Sequence, residues 1–342
     1  MRRTFGVSAL ITVAAVILAL FMSGVGAAIT TLVLIAIEIA FSFDNAIINA
    51  TVLKRLSRGW QHLFLTAGMV IAILGMRLIF PILIVMVTAK LSWSKVIDDA
   101  LHHPTIYAHH LADAHLAISA FGGAFLLTLA FYFLLDDERD VLWLKRIEKP
   151  LQAIGGTLWL PPLLTILIVL LLGQFTDGHF LSIMKAGLLG AVGYAAIKTF
   201  IEALGRLEPR GNKLYTGWAA LLAFMYLQVL DASFSFDGVL GAFAVTNKVL
   251  LIALGLGVGA LWVRSLTVFM VRKGTLDDYI YLEHGAHYAI LVLAAALLSS
   301  IFYDVPNVLT GIVGLGIIGA SFKASHERRQ AKLRAIRRAQ QA

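Results

Sequence analysis

Two short motifs place acidic residues at a fixed spacing inside apolar stretches of the chain. In the first, EIAFSFDNAI, Glu38 precedes Asp44 by six residues; in the second, DASFSFDGVL, Asp231 precedes Asp237 by the same distance. A charged side chain at the centre of a membrane helix costs about 2.5–3.5 kcal/mol unless it meets a partner, water or an ion. Carboxylates at such positions therefore indicate a cation site or a set of ion pairs.

The neighbouring side chains indicate which cation such a site would take. Asn45 offers an amide oxygen, and Ser42 and Ser235 offer hydroxyls. Together with carboxylates, these hard oxygen donors favour Mg²⁺, Ca²⁺ or Mn²⁺ over copper or zinc. Participation of His115 or His287 would shift the preference toward Mn²⁺ or another first-row metal. Each histidine lies near the start of an apolar segment, so a gate, a proton acceptor and a packing residue are alternative roles.

Each half of the chain also carries one arginine in the apolar segment after its motif, Arg77 in the first and Arg264 in the second. The four acids and two arginines carry a summed charge of −2, which one divalent cation would neutralise. In the alternative interpretation each arginine clamps a carboxylate between helices. The sequence leaves both interpretations open for the arginines, and it favours ion coordination for Asp44 and Asp237.

Helix geometry bears on how the two acids of a motif could meet. Residues six apart on a straight helix point about 120° apart, so Glu38 and Asp44 would not share a narrow face. A helix interrupted at residues 42–45 or 235–238 would let both acids and some backbone carbonyls converge, and Gly238 is a candidate break point. Interrupted helices of this kind line the substrate sites of many transporters.

The elements that hold these residues are apolar helices. Of the 342 residues, 59% are hydrophobic and 14% are charged, against about 45–50% and about 25% in soluble domains. The chain has no cysteine, which excludes disulfides and thiolate metal sites. Apolar runs of about 20 residues predict ten transmembrane helices, at 5–23, 27–52, 63–88, 111–135, 154–173, 183–204, 214–243, 248–271, 284–303 and 305–322.

The first of these runs resembles a cleaved signal peptide, because Arg2 and Arg3 precede it and small residues follow it. Its counterpart in the second half is an internal segment, which favours a membrane helix. With both termini inside, 21 Lys and Arg residues lie in cytoplasmic segments and four lie outside, as the positive-inside rule requires. The basic residues form no single patch, so we expect a lipid bilayer as partner and no nucleic acid.

The two motifs belong to a longer internal repeat. The pattern Ala-His-x-Ala-Ile occurs at 114–118 and again at 286–290, after the arginine of each half. These matched features predict an all-α integral membrane protein with about ten transmembrane helices in two five-helix repeats, 1–173 and 174–322. A basic cytoplasmic tail, 323–342, follows. Because five is odd, the second repeat would have inverted topology, a design of many transporters whose sites lie where the halves meet.

The paired motifs, together with the Ala-His-x-Ala-Ile elements, resemble the TerC family of integral membrane proteins over residues 25–305. The length and the extra spans are similar to a branch of that family described as integral membrane proteins of unknown function. The resemblance implies tellurite resistance or, as in several members, manganese export from the bacterial cytoplasm across the inner membrane. It implies metal-site roles for Glu38, Asp44, Asn45, Asp231 and Asp237. The sequence departs from symmetry at Gly238, where the first motif has Asn45.

The expected function is a secondary transporter that exports a divalent cation, Mn²⁺ being favoured and Mg²⁺ or Ca²⁺ possible, in exchange for H⁺ or Na⁺. A nucleotide-binding G-x-x-x-x-G-K-[ST] motif is absent from the sequence, as are His-Glu-x-x-His and Gly-x-Ser-x-Gly. We therefore expect no enzymatic activity and no organic cofactor. Two alternatives stay open, a membrane-embedded metalloenzyme and an exporter of another small solute.

Overall fold

The computed structural model describes residues 2–176, 178–207, 214–243, 245–246, 248–273, 279–303 and 305–341. Within these ranges the chain is helical, and its β-type pairing is an isolated bridge between Leu56 and Tyr215. The helices are α1 (Arg2–Phe41), α2 (Phe43–Leu53), α3 (Arg58–Leu65), α4 (Ala67–Val70), a π-helix (Ile71–Ile79), α5 (Phe80–Thr88), α6 (Trp93–His102), α7 (Pro104–Leu134), α8 (Lys145–Ile154), α9 (Leu160–Gly173), α10 (Phe180–Leu207), α11 (Gly217–Phe243), α12 (Val249–Lys273), α13 (Leu282–Ser299) and α14 (Asn307–Gln341).

Five stretches among the described residues are long and apolar enough to cross a bilayer. They are Phe5–Ile39, Pro104–Leu134, Phe180–Phe200, Val249–Arg272 and Leu282–Ser299, with shorter apolar helices at Leu160–Gly173 and Gly217–Asp231. Several such helices in one chain indicate a multi-pass membrane protein, as the composition predicts. The number of ten spans, the repeats and the orientation stay predictions.

Helix α1 consists of two arms rather than one straight rod. The backbone leaves the helical conformation at Ser23 and Gly24, and Gly24 has a φ of 79°, which glycine adopts without steric cost. The first arm, residues 2–22, packs along α12 through a hydrogen bond between the Ser8 and Ser265 hydroxyls (2.8 Å). The Trp262 ring N–H on α12 also donates to the Thr12 hydroxyl of this arm (2.9 Å). The first arm of α1 therefore runs antiparallel to α12.

The second arm of α1, residues 25–41, runs parallel to α12. A Cβ atom added to Gly255 would lie 2.5 Å from Cβ of Leu34, and one added to Gly259 would lie 2.5 Å from Cβ of Glu38. Two glycines four residues apart let the backbones approach closely, as in other membrane helix pairs. The chain thus reverses direction at residues 23–24, so that the two arms are separate segments as the sequence predicts.

The first motif contains a helix interruption and the second does not. Ser42 separates α1 from α2 with φ −101° and ψ 16°, while its N–H still donates to the Glu38 carbonyl (3.0 Å) and its carbonyl accepts from Ala46 (3.1 Å). The interruption within the predicted stretch 42–45 is therefore a local kink of one residue. Helix α11 continues from Gly217 to Phe243 through the second motif, so the alternative break at 235–238 is not present. The predicted third span is divided into α3, α4, the π-helix and α5, and local π-helical geometry is frequent at functional sites.

Helices α2 and α11 lie side by side and run in opposite directions. Asn45, early in α2, contacts Asp231, late in α11, whereas just beyond the end of α2 the N–H of Tyr215 donates to the carbonyl of Arg55 (2.7 Å). The largest buried cluster includes residues of α2, α7, α10, α11 and α13. The basic tail continues the last apolar helix, since both belong to α14.

Candidate functional site

Asp231 on α11 is held by a residue of the first motif. The side-chain amide of Asn45 on α2 donates to Oδ1 of Asp231 over 3.0 Å, and the two residues are 1% and 5% exposed. An amide donor and a carboxylate acceptor form a charge-assisted hydrogen bond, which is stronger than a neutral one. The motifs predict both residues at the site, and the structure brings them into direct contact.

Arg264 on α12 compensates the charge of Asp231. Its Nη2 lies 3.2 Å from Oδ2 of Asp231 and donates also toward Oε1 of Gln228 at 3.4 Å, while its Nη1 donates to the Phe64 carbonyl at 2.8 Å. The guanidinium also lies over the Phe64 ring at 4.3 Å. A Cβ atom on Gly68 would come within 2.7 Å of Nη1, so this glycine leaves the room that the guanidinium occupies. For Arg264, the structural interpretation as a clamp describes the observed contacts.

Glu38 on α1 lies against residues of the second half. It is 3% exposed, and the Ser42 hydroxyl donates to its Oε1 over 3.1 Å across the helix interruption. A Cβ atom on Gly238 would lie 3.2 Å from its Oε2, and the glycine at 259 leaves space for its side-chain stem. Gly238, which breaks the symmetry of the two motifs, therefore gives the carboxylate of Glu38 room at the second motif.

Each motif thus contacts the other. Glu38 of the first motif lies beside Gly238 of the second, and Asp231 of the second motif accepts a hydrogen bond from Asn45 of the first. The side chains of Asp44, Asp237, Ser235 and Arg77 lie outside the described part of the structure. Among the side chains that are described, no three His, Asp or Glu residues are grouped so as to hold a metal ion. The described part of the site is therefore two buried carboxylates, the amides of Asn45 and Gln228, a hydroxyl and one guanidinium.

The two histidines of the repeat occupy different surroundings. Nε2 of His115 lies 3.1 Å from the Ser119 hydroxyl on α7. The His287 ring on α13 stacks on Phe133 at 3.7 Å, and its Nδ1 lies 2.8 Å from the carbonyl of Glu283. Because a carbonyl only accepts, Nδ1 is the donor, and Nε2 carries the lone pair of the neutral ring.

Two further buried polar residues near the site, Gln228 and Asn49, were not predicted from the motifs. Gln228 lies one helical turn before Asp231 and is 3% exposed, and Asn49 lies one turn after Asn45 and is 1% exposed. A polar residue three or four positions from a polar residue of a motif, inside an apolar run, is the signal that could have found them. Nε2 of Gln228 and Oδ1 of Asn49 have no hydrogen-bond partner among the described residues, which is uncommon for buried polar atoms.

A second buried charge cluster lies away from the motifs, at the first turn of α8, in the segment before it and at the start of α13. Glu148 is fully buried, and it accepts from the backbone N–H of Trp143 and Leu144 and from Arg139 at 3.3 Å. The Tyr288 hydroxyl donates to it as well, over 3.2 Å. Burial lowers the pKa of Arg139, while the Glu148 carboxylate opposes that shift. Through these hydrogen bonds Glu148 connects the segment between α7 and α8 to Tyr288 on α13.

The fold and the site together define an all-helical, multi-pass membrane protein in which two distant segments join buried carboxylates, an amide and an arginine. The chain belongs to the DUF475 family, whose members are proteins of unknown function, since that family's model matches residues 43–332. No curated protein and no solved structure matches the chain.

Proposed function

We propose that this protein is a secondary transporter that exports a divalent cation through the acidic site between its two halves, with Mn²⁺ as the favoured cargo. The observation that carries the proposal is the reciprocal contact of the motifs. Glu38 lies beside Gly238, and Asp231 accepts from Asn45. A site built from both halves changes shape when one half moves against the other, which is what alternating access requires.

The cost of the buried charges supports transport over a purely structural role. Among the side chains that the structure describes, Arg264 pairs with Asp231, and Glu38 is buried at 3% exposure beside the second motif. Asp44 and Asp237 are the further acids of the motifs, and the proposal assigns them as ligands on the basis of the sequence. Acids in excess of arginines leave negative charge that a divalent ion would neutralise, and oxygen donors suit Mn²⁺, Mg²⁺ or Ca²⁺.

The resemblance of the motifs to the TerC family adds the choice of Mn²⁺, export as the direction, and the bacterial inner membrane as the location. In this proposal the two halves are inverted repeats, both termini are cytoplasmic, and H⁺ or Na⁺ exchanges for the metal. His115 and His287 would take part in gating or coupling rather than in ligation, because they lie beside Ser119 and Phe133 respectively.

The test is metal flux into liposomes that contain the purified protein and a metal-sensitive dye. Mn²⁺, Mg²⁺, Ca²⁺ and Zn²⁺ are compared for the wild type and for Glu38→Gln, Asp44→Asn and Asp237→Asn. The matched control is Glu138→Gln, since Glu138 is an exposed acid between α7 and α8. We expect Mn²⁺ flux in the wild type and the control, and a loss of at least about tenfold in each motif variant, because each loses a charged ligand worth about 1.5–3 kcal/mol.

Equal yield and equal thermal stability of the variants would separate lost transport from lost folding. Absence of flux for every metal in the wild type would refute the transporter proposal. Flux that is unchanged in all three motif variants would instead refute the site, and would leave the acids with a structural role.

A further inference from the structure

A cavity of about 200 Å³ lies at one end of α2 and α11. Val52 and Arg55 line it from the end of α2, and Ala223 and Tyr226 line it from the start of α11. The predicted topology puts this end of the molecule in the cytoplasm. At about 30 Å³ for each water, the cavity holds roughly six or seven water molecules, which is enough for a cation with its first hydration shell.

The walls of the cavity are polar and close to neutral. Asp136 and Glu283 contribute two carboxylates, and Arg55 and Lys198 contribute two cations. Lys198 lies over the Tyr132 ring at 4.9 Å. Tyrosines at 132, 194, 215 and 226 line much of the remaining surface. A neutral, hydroxyl-lined chamber holds a hydrated ion weakly, and weak binding is what permits an ion to leave again along a pathway.

A layer of buried polar groups separates the cavity from the acidic site. On α2, Asn49 lies between Asn45 and Val52, and these three residues share one helical face because they are four and three positions apart. On α11, Gln228 lies between Tyr226 at the cavity and Asp231 at the site. Both helices therefore lead from the cavity to the contact between Asn45 and Asp231 over about two turns.

The two residues of this layer carry polar atoms that the described protein does not satisfy. Oδ1 of Asn49 is an acceptor and Nε2 of Gln228 is a donor, and each lacks a partner among the described residues. A buried amide left in this state costs about 1–3 kcal/mol. Water or an ion shell in transit would satisfy both groups, since a hydrated cation offers O–H donors and oxygen acceptors together.

We propose that the cavity is the cytoplasmic loading chamber for the hydrated divalent cation, and that Asn49 and Gln228 replace part of its water shell on the way to Asp231. This inference rests on the proposed transport function. It adds a second binding place, outside the acidic motifs, and a direction of access.

The chain has no cysteine, so single cysteines report accessibility without further changes. Val52→Cys and Tyr132→Cys lie on the cavity wall, where both residues are half-buried. The matched controls on the same helices are Ala50→Cys and Ala130→Cys, since both alanines are fully buried and lie outside the cavity wall. Each variant is treated, in inside-out vesicles, with a small cationic or a small anionic membrane-impermeant thiol reagent, with and without millimolar Mn²⁺.

We expect the cavity cysteines to react at least about tenfold faster than their controls with both reagents, because the charges of the wall balance, and to be protected by Mn²⁺. Equal rates at cavity and control positions would overturn the chamber. Rates that Mn²⁺ leaves unchanged would show a chamber that does not load the cation and would also overturn the proposal.

A second variant tests the polar layer. Asn49→Leu keeps the size of the side chain and removes its oxygen, and we expect Mn²⁺ flux to fall about tenfold, the effect of one lost hydrogen bond to a charged species, while the labelling of Val52→Cys persists. Unchanged flux would remove Asn49 from the pathway. Mn²⁺ protection in a protein that shows no flux would support the chamber while refuting transport, so the two failures are distinguishable.

Discussion

The contact between Asp231 and Arg264 permits a double-mutant cycle that separates ion pairing from metal binding. The two side chains are 7% and 4% exposed and lie 3.2 Å apart. Asp231→Asn removes the negative charge and keeps an oxygen that can accept from Asn45. Arg264→Gln removes the positive charge and keeps a polar end near the Phe64 carbonyl. The two single variants and the double variant complete the cycle.

The magnitude follows from the burial of the pair. Removing one member of a buried ion pair leaves an uncompensated charge and costs about 3–5 kcal/mol, whereas replacing both is often near neutral. In the double variant the hydrogen bond from Arg264 to the Phe64 carbonyl is weakened, at about 1 kcal/mol. We therefore expect each single variant to lose about 3–5 kcal/mol and the double variant to lose about 1–2 kcal/mol, with a coupling energy of about 4 kcal/mol or more.

The assay is reversible unfolding in mixed detergent micelles, with the free energy of unfolding measured for all four proteins. The rise in the unfolding temperature on adding Mn²⁺ is measured in parallel, because a ligand that binds the folded state stabilises it. If Asp231 is a metal ligand, Asp231→Asn reduces this rise, whereas Arg264→Gln retains it. If Asp231 only pairs with Arg264, neither variant changes the response to Mn²⁺.

A coupling energy below about 0.5 kcal/mol would show the two residues to be independent and would refute the buried ion pair. A strong coupling together with an unaltered Mn²⁺ response in Asp231→Asn would refute ligation by Asp231 and leave the pair as a helix clamp.

Two further predictions concern close packing and the second charge cluster. Gly259→Ala should lower stability by about 1–3 kcal/mol and reduce flux, because the new Cβ would lie 2.5 Å from Cβ of Glu38. The control Gly316→Ala should be neutral or stabilising, because a Cβ there would meet nothing within 4 Å. Equal effects of the two variants on the unfolding temperature would contradict this packing. Glu148→Gln should leave Arg139 buried without the Glu148 carboxylate and lower the free energy of unfolding by about 3–5 kcal/mol. It should also speed proteolysis between α7 and α8. An unchanged cleavage rate would contradict the role of Glu148 in holding this segment.

Local patterns explain what was predictable. Burial in a bilayer requires about 20 apolar residues in succession for each helix, so the membrane class is visible in composition and hydropathy alone. The acids and Arg264 stand out for the same reason, because charge inside an apolar run is costly. The kink at Ser42 lies in one of the two stretches that the sequence marks as a candidate break, because a straight helix would hold Glu38 and Asp44 about 120° apart.

The choice between those alternatives depended on packing. The second motif stays helical in α11, although it contains the glycine at 238 that the sequence marks as a candidate break. In the structure this glycine makes room for Glu38 of the other half, so its use is a close approach between helices rather than a turn. A single sequence does not distinguish these two uses, because both require only the absence of Cβ.

The sequence by itself determined that this chain is an α-helical membrane protein with two related acidic motifs, because hydropathy and charge are properties of short segments. Only the tertiary structure decided which groups meet: Asn45 with Asp231, Arg264 with Gln228 and the Phe64 carbonyl, and Glu38 with the second motif. These partners are separated by up to about 200 positions in the chain. Their contacts arise from the packing of whole helices against each other, which no local pattern encodes.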